Sequence, residues 1–187
     1  EVQEGENDSA GFDKSLNNRG YYLQDQLSLL LGDLNLTAGG RIDNHSKFGD
    51  ESTYRVGGSY LIKGIGMRLK GTWGTAFKAP TINDLYYIDG WGNRGNSDLD
   101  PEESVSYDIG LEESVLEGKL SFDLLYFSSR YDNLIEWIEY APWAYEPQNI
   151  AEARISGWEF GLRVEPVSHI EIRANCTITD TEDEVTG

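Results

Sequence analysis

The feature that most constrains this chain is a period of two that recurs along nearly its whole length. Between Leu34 and Asp43, Leu34, Leu36, Ala38 and Ile42 share one parity, while Asn35, Thr37, Arg41 and Asp43 share the other. A β-strand sends successive side chains to opposite faces, so such a segment presents one apolar face and one polar face. The pattern returns at Val105, Tyr107, Ile109 and Leu111, and at Leu120, Phe122, Leu124 and Tyr126. It appears again at Trp158, Phe160, Leu162 and Val164, and at Ile170, Ile172, Ala174 and Ile178. Less regular versions run over 21–31, 53–62 and 66–75, giving about eight strands. Many approach the roughly ten residues that a tilted membrane-spanning strand requires.

The connections carry the second constraint. Gly32-Asp33, Lys63-Gly64, Glu117-Gly118 and Pro166-Val167-Ser168 are tight hairpin turns by composition. Between them lie longer polar or aromatic connections near 44–52, 77–101 and 130–149, with loop-like ends at 1–19 and 180–187. Short and long connections alternate, as they do on the two sides of an outer-membrane barrel. Aromatic residues near strand ends (Tyr21, Tyr22, Trp73, Phe77, Tyr126, Phe127, Trp158) fit a bilayer interface. The expected fold is therefore all-β: an antiparallel up-and-down transmembrane β-barrel segment, with 77–101 and 130–149 as extracellular loops. A soluble antiparallel sandwich shares the alternation and stays open as an alternative, as does a passive porin-like barrel.

Charge and composition exclude several functions. The 33 acidic and 15 basic side chains leave a net charge of −18, which repels nucleic acid, whose binding depends on Lys and Arg neutralising phosphates. No apolar run reaches the roughly 18 residues of a spanning helix, which leaves a spanning β-barrel untouched. The lone Cys176 offers no disulfide, and its parity with Ile172, Ala174 and Ile178 makes it a small apolar residue of a buried or lipid-facing side. His45 and His169 lie far apart without paired-metal spacing, and no Gly-x-Ser-x-Gly elbow occurs. No catalytic residue, metal site or cofactor is expected. The acidic runs Glu1–Asp8 and Asp180–Glu184 lack fixed ligand spacing and read as solvated charge rather than calcium ligands.

Three motifs stand on the strand ends. The first is Gly74-Thr75-Ala76-Phe77-Lys78-Ala79-Pro80-Thr81, the second Asn96-Ser97-Asp98-Leu99-Asp100-Pro101-Glu102, and the third Asn149 to Glu159, which includes Ala153 and Gly157. Pro80 cannot donate to a ladder and ends its strand, while Pro101 precedes the returning one. Thr81 and Asp84 can cap a helical turn over 81–87. Gly157 suits a strand bend or a close approach of two backbones.

On these motifs the chain resembles the TonB-dependent outer-membrane receptors, in the C-terminal half of their barrel. Ser97 stands where the family usually has Pro, and Asp100 where Lys is frequent. The resemblance covers most of 19–187 and implies a partial barrel domain over 1–187, about eight of some 22 strands, with plug and terminal strands absent. It implies a Gram-negative outer membrane, contact with its lipid, and uptake of a ferric siderophore, cobalamin or similar nutrient powered through TonB and its inner-membrane partners.

Ligand contacts are expected from the loops: Tyr86, Tyr87, Asp89, Trp91, Asn93 and Arg94 in the larger, and Trp143 and Tyr145 in the next. Aromatic rings supply rigid contact area, and Asn and Arg supply oriented donors. Packing of loop on loop is the competing role for each. Outside the membrane reading, Trp91 and Trp143 would suit a soluble glycan-binding module. Arg41, Arg55, Arg68, Lys70, Asp108, Asp123, Glu159, Arg163, Glu171 and Arg173 are expected to line the lumen.

Overall fold

The computed structural model describes residues 2–7, 12–167 and 169–184, with side chains from Lys14 onward. Nine strands form one antiparallel sheet in chain order. They are β1 (Val2–Asn7), β2 (Phe12–Leu29), β3 (Leu34–His45), β4 (Gly49–Ile62) and β5 (Met67–Lys78), then β6 (Glu102–Val115), β7 (Leu120–Ala141), β8 (Ala144–Val167) and β9 (Ile170–Asp183). The short β1 pairs with Phe12–Asn17 of β2, and β3 takes Asn18–Leu29. Eight strands are long, as the periodicity predicts, and β1 is the addition. No helix among the described residues is long and apolar enough to cross a membrane.

Register explains the two faces. One row runs Leu34, Tyr60, Leu69, Leu111, Leu124, Phe160 and Cys176 across seven consecutive strands. One residue along each strand lies the row Asn35, Ser59, Lys70, Gly110, Leu125, Glu159 and Thr177, on the opposite face. The first face is lined by exposed apolar side chains that touch little protein. A sheet buries one face in a soluble domain; here that face remains bare, as a lipid-facing band does. Cys176 accordingly is exposed. Asp25 interrupts the apolar parity of β2 opposite Ala38, and nothing in the structure explains it.

The band has an upper border of neighbouring aromatic rings. Trp73 pairs with Tyr107 and Tyr126 with Trp158, and the Tyr126 and Trp158 ring centroids are 5.0 Å apart. The next row over Tyr126 and Trp158 is already polar, with Ser128, Ser156 and Asp180. The lumen residues named above fall on the polar face, where the Thr72 hydroxyl bonds Asp108 and Glu171 joins Arg163 and Arg173, each at 2.6 Å.

The connections and ends differ from the expectation in four places. Turns at 30–33, 63–66 and 116–119 are tight as predicted, two of them through consecutive left-handed residues (Leu30, Leu31, Gly32 and Leu116, Glu117, Gly118). At the other end, however, 44–52 is no long connection: β3 and β4 stay paired out to His45 and Gly49, leaving a three-residue turn. Residues 130–149 are no loop either. They continue β7 and β8 as a hairpin to a two-residue turn at Pro142 and Trp143. The acidic run at 180–184 belongs to β9 through Asp183, and the N-terminal residues 2–7 and 12–19 are strand. Glu1 and Asp8 lie outside the described residues. Only 77–101 remains a long connection among those described.

The small buried core sits under that connection. Leu16, Ile82, Leu85 and Leu99 form it, with Phe48, Tyr86 and Ile135 packed around. Leu16 shares a face with Asn18, Asp43 and His45, so the connection folds over the polar face at the far end of the sheet.

Candidate functional site: the loop-bearing mouth of the sheet

Pro80, fully buried, ends the ladder of β5 and directs the chain inward. Thr81 then caps α1 (Ile82–Tyr86): its side chain accepts from the Asp84 amide at 3.2 Å, and the Asp84 carboxylate accepts from the Thr81 amide at 2.9 Å. This is the reciprocal arrangement of a capping box. The Trp137 indole donates to Asp84 at 3.3 Å, which ties the helix to β7.

Beyond α1 the chain makes a closed turn around Asp89. Its carboxylate accepts from the amides of Trp91 at 2.8 Å and Asn93 at 3.0 Å, and from the Asn93 side chain at 2.6 Å. These donors, the Asn93 amide group foremost, hold the Asp89 carboxyl below its ordinary range. The limb then docks on the hairpin. The Arg94 amide donates to the Tyr145 carbonyl at 3.0 Å, and the Tyr145 amide to the Asn93 side chain at 2.9 Å. The Arg94 guanidinium donates to Glu146 and lies 4.5 Å from the centre of the Tyr140 ring, whose hydroxyl donates to Gly92 at 2.7 Å.

At Gly95 an added Cβ would lie 2.5 Å from the Tyr86 amide nitrogen, so only glycine lets the limb pass α1. Asn96 donates to the Pro147 carbonyl at 3.1 Å, and Asn149 brackets Asp100, accepting from its amide at 2.8 Å and donating to its carbonyl at 3.0 Å. Pro101 precedes β6, where Glu102 pairs with Lys78 at 2.8 Å and accepts from the Ile135 amide at 2.9 Å.

The sequence motifs therefore meet. Phe77, Lys78, Ala79 and Pro80 leave β5, Asn96, Leu99, Pro101 and Glu102 return to β6, and Asn149 on β8 fastens the return. Gly74 faces Arg55 and Ser106 in neighbouring strands, and Ala153 and Glu159 sit in the β8 ladder. Gly157 is buried, and a Cβ there would lie 2.8 Å from the Phe127 ring and closer still to the Ile178 carbonyl.

Of the expected contact residues, Asp89, Asn93 and Arg94 have their polar groups engaged within the chain. Tyr86 packs on the core near the Lys14 ammonium, and Tyr87 meets Trp137 edge-on at 6.0 Å. Tyr145 lies in the hairpin ladder with its ring partly exposed. Trp91 and Trp143 stand out, 85% and 81% exposed at the tip. Sequence reasoning missed Trp137, Tyr140 and Glu146 as the loop's partners; they are some fifty positions away, and no local pattern marks them.

A smaller hollow of about 350 Å³ below the loop is lined by Leu16, Asn18, Arg41, Asp43, His45 and Lys78 among others. Among the described residues, no group of three or more His, Cys, Asp or Glu is placed to hold a metal ion.

Comparison with known proteins agrees with this architecture. The family model described as "TonB dependent receptor-like, beta-barrel" matches residues 3–186. A vitamin B12 transporter BtuB of Vibrio vulnificus is 34% identical over 146 residues, 78% of this chain and 22% of that protein. One from Photobacterium profundum is 35% identical over 128 residues, 64% of this chain and 19% of that protein. Among solved structures, the siderophore receptor PirA from Pseudomonas aeruginosa superposes with a TM-score of 0.84 at 25% identity, over 96% of this chain and 35% of that one. A mutant of the ferric enterobactin receptor PfeA from the same organism, in complex with enterobactin, gives 0.76 at 25% identity, over 89% of this chain and 27% of that one. These relatives are transporters and receptors, not enzymes. The chain spans only about a fifth of the length of the curated relatives it matches.

Proposed function

Because the chain belongs to the TonB-dependent receptor β-barrel family, we propose that it is the wall and loop segment of an outer-membrane receptor importing cobalamin or a ferric siderophore with TonB-coupled energy. The observation that carries this reading is the family match over 3–186, joined to a sheet whose apolar face is bare and whose polar face is roofed at one end by an ordered loop. A two-faced wall separates lipid from an aqueous lumen. Energy coupling belongs to parts of such a receptor beyond the matched residues.

Cobalamin is the preferred cargo, because both named sequence relatives are vitamin B12 transporters. The siderophore receptors align at lower identity and support the same class of uptake. Trp91 and Trp143 are the first-contact surface in this reading, with Tyr145 and Tyr87 beside them. Asp89, Asn93 and Arg94 act by holding the loop that presents Trp91.

The test is uptake of labelled cobalamin by cells that lack their own cobalamin receptor and express the complete receptor carrying this segment. Protonophore-sensitive uptake is the expected result. Uptake of small sugars that ignores the protonophore would instead identify a passive pore.

A further inference from the structure

The loop roof has a strongly unbalanced charge. Residues 78–103 and 130–149 hold ten carboxylates (Asp84, Asp89, Asp98, Asp100, Glu102, Glu103, Asp132, Glu136, Glu139, Glu146) against three basic side chains. Each of the three is already paired. Lys78 lies 2.8 Å from Glu102, Arg94 2.7 Å from Glu146, and Arg130 3.1–3.3 Å from Asp132, Glu152 and Glu184. The nearby lysines are also engaged, Lys47 with the Ser97 carbonyl at 2.5 Å and Lys14 over the Tyr86 ring. Seven carboxylates, those of Asp84, Asp89, Asp98, Asp100, Glu103, Glu136 and Glu139, have no basic partner among the described residues.

We infer that this roof excludes polyanions, and that the ligand admitted past it is an uncharged or cationic metal chelate. The inference rests on the receptor reading above and narrows its cargo by charge. A polyanion approaching these loops meets a net negative field and no unpaired arginine or lysine among their described residues to receive it. Recognition of such a ligand ordinarily uses cationic, bidentate donors. An uncharged chelate is indifferent to the field and finds the two exposed indoles, whose faces suit a large conjugated surface. Fields of this kind alter association rates by about 10- to 1000-fold and fade as salt shortens the Debye length.

Two measurements on the complete receptor decide it. The first is collisional quenching of the fluorescence component lost in the Trp91→Phe, Trp143→Phe double variant. With each quencher scaled to its effect on free N-acetyltryptophanamide, iodide should quench it less efficiently than acrylamide, and caesium more. Equal scaled efficiencies for iodide and acrylamide would overturn the inference whatever the cargo proves to be.

The second is binding of cyanocobalamin and of a trianionic ferric tris-catecholate as the Debye length falls from about 30 Å to about 3 Å. Cyanocobalamin association should change less than about twofold, whereas that of the catecholate should rise about tenfold or more. The triple variant Asp98→Asn, Glu103→Gln, Glu136→Gln should raise catecholate association at low salt; none of these carboxylates is part of the loop's ion pairs. Tight, salt-weakened binding of the catecholate by the unaltered receptor would overturn the inference. If neither compound binds, the receptor reading fails, and the quenching ratios still decide the field.

Discussion

Arg94 and Glu146, 52 positions apart in sequence, are joined by two hydrogen bonds of 2.7 and 2.9 Å from one guanidinium to one carboxylate oxygen. The pair is one of several ties that fasten the 87–101 limb to the β7–β8 hairpin. Without them the loop would be a long unsupported excursion, and Trp91 would have no fixed position.

Replacing Arg94 with Ala should loosen the limb and leave the barrel wall intact, since exposed ion pairs add little to global stability. Amide exchange at 92–95 is expected to accelerate with an unchanged melting transition. Glu146→Ala should give the same pattern, and the double variant should add almost nothing to either. Additive effects would show that the two residues act separately.

Asn149 should matter more. Its side chain accepts from the Asp100 amide at 2.8 Å and donates to the carbonyls of Asp100 and Asn133 at 3.0 and 2.7 Å. Asn149→Ala is expected to cost about 1–3 kcal/mol in denaturant unfolding. Asn149→Asp, which keeps the acceptor but sets a carboxylate oxygen against two carbonyls where the donors stood, should cost at least as much.

Asp89 makes the turn at 89–93 sensitive to acid. Its folded-state carboxyl is held below the ordinary value by the Asn93 side chain first and then by the Trp91 and Asn93 amides. Its contribution is therefore complete above the usual carboxylate range and lost as pH falls through the depressed value. Trp91 emission followed down through pH 4 to 2 should report the turn opening. In Asp89→Asn, that acid transition should be missing.

His45 responds in a different window. It is 7% exposed, its Nδ1 accepts from the Lys47 and Phe48 amides at 3.2 and 3.3 Å, and burial followed by the nearby Lys47 charge lowers its pKa below 6.5. The neutral ring is the one that fits. Stability from this turn is whole above pH 6.5 and declines as pH drops below it toward the folded value. Exchange protection of the Lys47 and Phe48 amides should fall in that window, beyond the intrinsic pH effect, and be insensitive to pH in His45→Asn.

Gly157 is the wall position with least tolerance. Gly157→Val would drive a side chain into the Phe127 ring and the Ile178 carbonyl, destabilising by about 1–3 kcal/mol. Refolding into detergent micelles, read by the gel-mobility difference between folded and unfolded forms, should shift to lower denaturant.

Much of this architecture was legible because period-two patterning needs only local sequence. The Leu34–Asp43 strand, the tight turns, the Thr81 cap and the boundaries at Pro80 and Pro101 all follow from residues within a few positions of one another. The long hairpin was not legible, for a local reason. Pairing shifts between Tyr131 and Ile135, where Asn133 takes a left-handed φ of 58°. The register is the same on either side, and above the irregularity the inner face carries Ile135 and Trp137, which pack against the loop. These apolar residues are out of phase with Tyr126, so the segment reads as loop. The ties at Asp84, Arg94 and Asn149 were hidden differently: each spans about fifty positions.

The hairpin also sets a height. From Tyr126, in the aromatic border, to Ala141 at its end, β7 runs for fifteen residues. At about 3.3 Å per residue and a tilt near 45°, that lifts the Trp143 turn roughly 35 Å above the border. The Debye length at physiological salt is about 8 Å. The tip therefore stands several screening lengths clear of the headgroups, so in the receptor reading proposed above a change in lipid charge would leave a ligand's encounter with Trp143 unaffected.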